Sequence, residues 1–74
     1  MKIYSILKLK YIPIQDIIIG YGLYDESFKT YEEAVEYLIN KGYDDIGENQ
    51  YEIRDFKNNI DYVAEILSSE INLL

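Results

Sequence analysis

Asn58-Asn59-Ile60-Asp61-Tyr62-Val63-Ala64-Glu65-Ile66-Leu67-Ser68-Ser69-Glu70-Ile71-Asn72-Leu73-Leu74 is the stretch on which the fold turns. Ile60, Val63, Ala64, Leu67, Ile71 and Leu74 recur close to the i, i+3, i+4, i+7 spacing of one helical face. Asn58 or Asn59 stands where an N-cap belongs, so the spacing predicts a C-terminal helix. Tyr62, Ile66 and Leu73 form a second stripe, about 140° from the centre of the first at about 100° per residue. Glu70 interrupts the apolar circumference. One sheet rarely hides so much of a helix. Either the helix sinks between layers, or Tyr62, Ile66 and Leu73 meet a second subunit or a partner.

Upstream, Ile3 to Ile12 reads as a strand. Alternation puts Ile3, Leu7, Leu9 and Tyr11 on one face and Lys2, Tyr4, Ile6, Lys8 and Lys10 on the other, with the lysine side expected toward solvent. Pro13 has no N–H for a ladder and ends the strand. Ile17 to Tyr24 returns as its hairpin partner, and Gly20 and Gly22 share one face of it. Those glycines mark a close backbone approach or a bulge. A phosphate loop needs a further glycine or a following Gly-Lys-Ser/Thr, which the sequence lacks. Thr30-Tyr31-Glu32-Glu33 is a capping box, Tyr31, Ala34, Val35 and Leu38 form a buried stripe, and Gly42 supplies the left-handed ending. A loop and a third strand, Gln50 to Phe56, follow.

The expected order is β-β-α-β-α in a single domain over residues 1–74. This is an α+β, two-layer fold: a three-stranded, mostly antiparallel sheet with the first strand central and two helices on one face. With 74 residues and neither Cys nor His, the chain has no disulfide and no ordinary zinc site. Its stability must come from an apolar core, from oligomerisation, or from both. The same absence removes the commonest general base and the strongest nucleophile, so no catalytic residue, metal ligand or cofactor is assigned. Asp44-Asp45-Ile46-Gly47-Glu48-Asn49 lacks the alternating register and closing Glu of a calcium loop. The longest nearly continuous apolar run, Ile17 to Tyr24, is far short of the roughly 18 residues of a membrane span. A soluble, cytoplasmic protein without a membrane partner is expected.

Charge is the most informative property. The net charge is −7, and residues 25–48 carry eight carboxylates against Lys29 and Lys41, a local balance of −6. Glu32, Glu33 and Glu36 share the outward arc of the first helix, with Asp25 and Glu26 before it and Asp44, Asp45 and Glu48 after it. Anions past a helix C-terminus oppose its dipole, which makes Asp44 and Asp45 unusual. Such a field repels nucleic acid and attracts basic proteins. Tyr4 between Lys2, Lys8 and Lys10 is similar to a single-strand platform, but no RRM-type motif accompanies it and the net charge opposes a polyanion.

In size, acidity and lack of catalytic residues the whole chain resembles the small anti-defence proteins of phages and mobile elements, of anti-CRISPR or anti-restriction type. That resemblance implies a stoichiometric inhibitor. Its acidic arc, Asp25, Glu26, Glu32, Glu33, Glu36, Asp44, Asp45 and Glu48, would occupy the basic nucleic-acid-binding surface of a defence nuclease. The alternative is a small regulatory module that self-associates, as a homodimer, through Tyr62, Ile66 and Leu73. Sequestration of a small signalling molecule is a third class.

Overall fold

A computed structural model describes residues 1–70. Its elements are β1 (Lys2–Ile12), β2 (Ile17–Phe28), α1 (Tyr31–Asn40), β3 (Asp44–Gly47), β4 (Gln50–Asp55) and β5 (Ile60–Glu70). The strands form one sheet in the order β2-β1-β5-β4-β3, antiparallel at every pairing.

The expected three-stranded β-β-α-β-α sandwich with two helices is therefore corrected to a five-stranded sheet with one short helix. The segment read as the second helix is β5. It pairs with β1 from Lys2↔Glu70 to Tyr11↔Asp61 and with β4 from Gln50↔Glu65 to Asp55↔Ile60. The polar pair read as an N-cap makes a hairpin turn instead. Asp55 Oδ1 accepts the Asn58 N–H at 3.2 Å, Asn58 Nδ2 donates to Asp55 Oδ2 at 2.8 Å, and Asn59 takes a φ of 56°. Asn satisfies nearby backbone groups at caps and at turns alike, so its presence does not choose between them. A strand apolar on both faces also mimics helical spacing: Ala64 and Ile66 fall on one side, Val63 and Leu67 on the other. Gln50–Asp55, expected beside the first strand, lies against β5, and Asp44–Gly47, expected as a loop, is the edge strand β3. Ile71 and Leu74, of the expected helical stripe, lie outside the described residues.

α1 has the ends its punctuation calls for. Thr30 Oγ1 accepts the Glu33 N–H at 3.1 Å, a cap worth about 0.5–2 kcal/mol. At the other end Gly42 has a φ of 99°, Tyr43 N–H donates to Leu38 O at 3.1 Å, and Gly42 N–H donates to Ile39 O at 3.0 Å. That pair of bonds is a Schellman ending.

The faces of β1 are the reverse of the expectation. Ile6 is fully buried beneath α1 and Tyr4 packs beside it, whereas Leu7, Leu9 and Tyr11 face the side without a helix. Ala34 and Leu38 of α1 meet Ile6, Tyr43, Tyr51, Ala64 and Ile66 to form the core. Ten helical residues reach only about 15 Å. The molecule is 47 Å long, so α1 covers one end of the sheet, and Lys8 and Lys10 emerge beyond it.

Candidate functional site

All eight carboxylates of the acidic arc are exposed. The fold gathers three of them. Between α1 and the β3–β4 edge runs an open groove of about 610 Å³. Glu32, Glu36 and Asp45 line it, Val35 and Ile39 give it an apolar floor, and no Lys or Arg lines it. Val35 and Ile39 lie one helical turn apart, which is why one flank of α1 presents them together. Tyr31 and Tyr51 close one end with their hydroxyls 3.3 Å apart. Burial, with help from the Tyr31 hydroxyl, pushes the Tyr51 phenol well above its ordinary pKa.

Asn49 braces this groove, and the sequence reading missed it. It accepts from Tyr31 Oη at 2.8 Å and donates from Nδ2 to the Ile66 carbonyl at 2.7 Å, tying α1 and the β3–β4 turn to β5. The signal was Gly47-Glu48-Asn49, whose left-handed φ values of 90°, 53° and 62° make a tight hairpin from residues that tolerate them unequally. Asp45 serves the same turn: its Oδ1 accepts the Gly47 N–H at 2.9 Å. The turn gives Asp45 a local reason for standing past the helix end, apart from any partner.

The other five acids are dispersed. Glu33 sits in the first turn of α1, bonded through its backbone N–H to the Thr30 cap, and Glu48 in the β3–β4 turn, while Asp44 pairs across the edge with Glu52. Asp25 and Glu26 belong to the last residues of β2. Glu26 accepts from Tyr37 Oη at 2.9 Å. That bond, a backbone bond and the nearby Lys41 and Lys8 ammoniums outweigh desolvation and lower its pKa.

The proposed oligomer stripe does not survive the change from helix to strand. Ile66 is only 4% exposed and belongs to the core, Tyr62 is half-buried against it, and Leu73 lies outside the described residues. Among the described residues, the apolar surface left uncovered is the opposite face of the sheet. There Leu7 stands between Leu23 and Glu65, and Leu9 stands between Tyr21 and Val63.

On that same face, Asp61 is 4% exposed and its Oδ1 has no hydrogen-bond partner among the described residues. Arg54 Nη2 lies 3.6 Å from Asp61 Oδ2 and 3.4 Å from Glu52 Oε2. Hydrogen bonding to Asp61, desolvation and the Asp61 charge raise the Glu52 pKa, against the opposing pull of Arg54. A carboxyl that holds its proton more tightly when folded stabilises the fold below its unfolded pKa, and this contribution fades as pH rises through the folded value. Asp61→Asn should therefore gain on wild type between pH 4.5 and neutrality, read as the difference in urea midpoints. An equal difference at both pH values would show that the pair is not coupled.

Among the described residues no helix is long and apolar enough to cross a membrane. No protein-family model matches the chain, and no curated protein or solved structure matches it significantly.

Proposed function

We propose that this chain is a stoichiometric binding protein whose acidic helix face occupies a basic, nucleic-acid-binding surface of another protein, in the manner of the anti-defence inhibitors it resembles. The observation that carries the reading is the groove beside α1, where Glu32, Glu36 and Asp45 surround the apolar floor of Val35 and Ile39 without a cation among the lining residues. A lysine or arginine has an aliphatic stem and a charged head. Its stem fits the floor and its head fits the rim. Glu33 and Glu48 extend the negative field around that contact and steer a basic partner toward it. The test is capture of a basic nucleic-acid-processing protein from host lysate, followed by affinity at two salt concentrations. Salt-insensitive binding would count against the reading.

Self-association is the second reading, favoured by the bare sheet face. Three strands about 4.8 Å apart, each contributing roughly eight residues at about 3.3 Å, give a patch on the order of 400 Å². That is about half of the roughly 800 Å² per partner in a standard interface. A second copy stacked on Leu7, Leu9, Leu23 and Val63 should thus form a weak dimer. Sedimentation across a concentration series should show mass rising with concentration, and Leu9→Lys should abolish the rise. A wild type that stays monomeric throughout removes this reading.

A further inference from the structure

On the β2 side of α1 the sheet forms an open pocket of about 390 Å³, and it shares no lining residue with the acidic groove. Its floor is made by Lys8, Lys10 and Gly20, and its walls by the rings of Tyr24, Tyr43 and Tyr62. The register explains the hollow. Gly20 lies opposite Lys10 and Gly22 opposite Lys8, so β2 presents no side chain where the two lysines rise. The Lys8 ammonium stands 4.4 Å from the Tyr24 ring centroid, that of Lys10 5.7 Å from the Tyr62 centroid, and that of Lys41 5.4 Å from Tyr24. Tyr24 and Tyr43 join their hydroxyls at 3.0 Å.

Two of the chain's seven cationic side chains thus line one hollow, and a third, Lys41, stands behind its Tyr24 wall, in a protein of net charge −7. None of the three makes an ion pair among the described residues. Ring faces stabilise the ammoniums without cancelling their charge. Glu26, held by the Tyr37 hydroxyl, offsets part of the Lys41 charge, and Lys41, at the helix C-cap, complements the negative end of the helix dipole. Lys8 and Lys10 are the two cations on the pocket floor, and Lys8 shares the field of Glu26 with Lys41.

We propose that this pocket binds a small phosphorylated ligand with a flat ring, of the nucleoside monophosphate class. The ammoniums of Lys8 and Lys10 take the phosphate as point charges, and the tyrosine walls take the ring. The volume lies within the range of about 300–1,000 Å³ common to small-molecule sites. A single nucleic-acid strand needs a basic track that runs on past one nucleotide. The pocket lining holds two basic residues, Lys8 and Lys10, and no longer track, so the small molecule is the better fit.

The test is a titration of the full chain, followed by NMR of the tyrosine rings, with adenosine 5′-monophosphate, adenosine and inorganic phosphate as separate probes. The monophosphate is expected to shift Tyr24, Tyr43 and Tyr62, to bind at least about tenfold more tightly than either fragment, and to lose that advantage in Lys8→Gln/Lys10→Gln. Gly20→Val is the second variant. A β-carbon there meets only Lys10 Cβ and Cδ at 3.9 Å, so valine fits the strand, keeps every charge and fills the hollow. It should abolish binding while the melting temperature holds. The proposal is overturned if the monophosphate leaves the three rings unmoved at millimolar concentration, if adenosine binds as well as its monophosphate, or if Gly20→Val binds like wild type. A thymidine octanucleotide that binds more than about tenfold more tightly than thymidine monophosphate would overturn it in favour of a strand platform.

Discussion

Reversal of Glu32, Glu33 and Glu36 to lysine is expected to abolish capture of a basic partner while the chain stays folded. All three side chains are exposed, and the cap bond to Thr30 uses the Glu33 backbone N–H, which any residue supplies. The cost to the helix is dipolar. Acids in the first turn are worth about 0.3–1 kcal/mol each, and lysines there reverse the sign. Each reversal adds two charges, so the net charge moves from −7 to −1. Glu32 and Glu36 line the groove, and reversal places two ammoniums where a partner's cation is to sit. Losing a desolvated charge pair costs about 2–5 kcal/mol, so a fall of roughly a hundredfold or more in affinity is expected. Raising salt from 0.1 to 1 M cuts the Debye length from about 10 Å to about 3 Å and should slow wild-type association more than that of the variant. Asp45→Asn tests the far rim and Asp44→Asn the field beside it, and together they should weaken binding by less. If the charge-reversed chain captures its partner as tightly as wild type, the acidic face serves solubility, and the bare sheet face becomes the surface to test.

The parts of the fold that were legible are those fixed by local chemistry. Thr30, Glu33 and Gly42 bracket α1 because capping and left-handed termination involve neighbours in sequence. Pro13 closes β1 for a similar reason. The assignment of faces was not local. On β1 both faces are apolar enough to be buried, and the short α1 decides between them by landing over Ile6. β3 escaped because all four of its residues are exposed, and its pairing with β4 is the only mark of a strand. The site divides along the same line. Charge adds along a sequence, so the acidic arc could be drawn without coordinates. The groove needs Asp45 of β3 brought against α1, and the pocket needs Gly20 brought opposite Lys10. Those are contacts between segments, and no spacing rule contains them.

Replacing Ile66 with lysine is expected to unfold the chain, and replacing its neighbour Leu67 is not. The pair separates strand from helix, because the two geometries assign them opposite fates. On a helix, Leu67 belongs to the buried series with Ile60, Val63 and Ala64, and Ile66 lies on the outer stripe. On β5, Ile66 faces Ile6 in the core at 4% exposure, while Leu67 points to the bare side at 39% exposure. An ammonium at position 66 would lie among Ile6, Ala34 and Leu38 with no carboxylate in that cluster to receive it. The effective cost of burying an unpaired charge is several kcal/mol, with the lost burial of isoleucine, about 1.5–3 kcal/mol, added to it. A domain of 74 residues holds roughly 4–11 kcal/mol in all. The lysine at position 66 therefore consumes most or all of the margin, and its circular dichroism should be that of an unfolded chain at room temperature. Leu67→Lys should retain a cooperative urea transition within about 1 kcal/mol of wild type, because its ammonium stays in water. The reverse pattern, a folded Ile66→Lys beside an unfolded Leu67→Lys, would return the C-terminal segment to a helix and remove the sheet on which the pocket and the groove both depend.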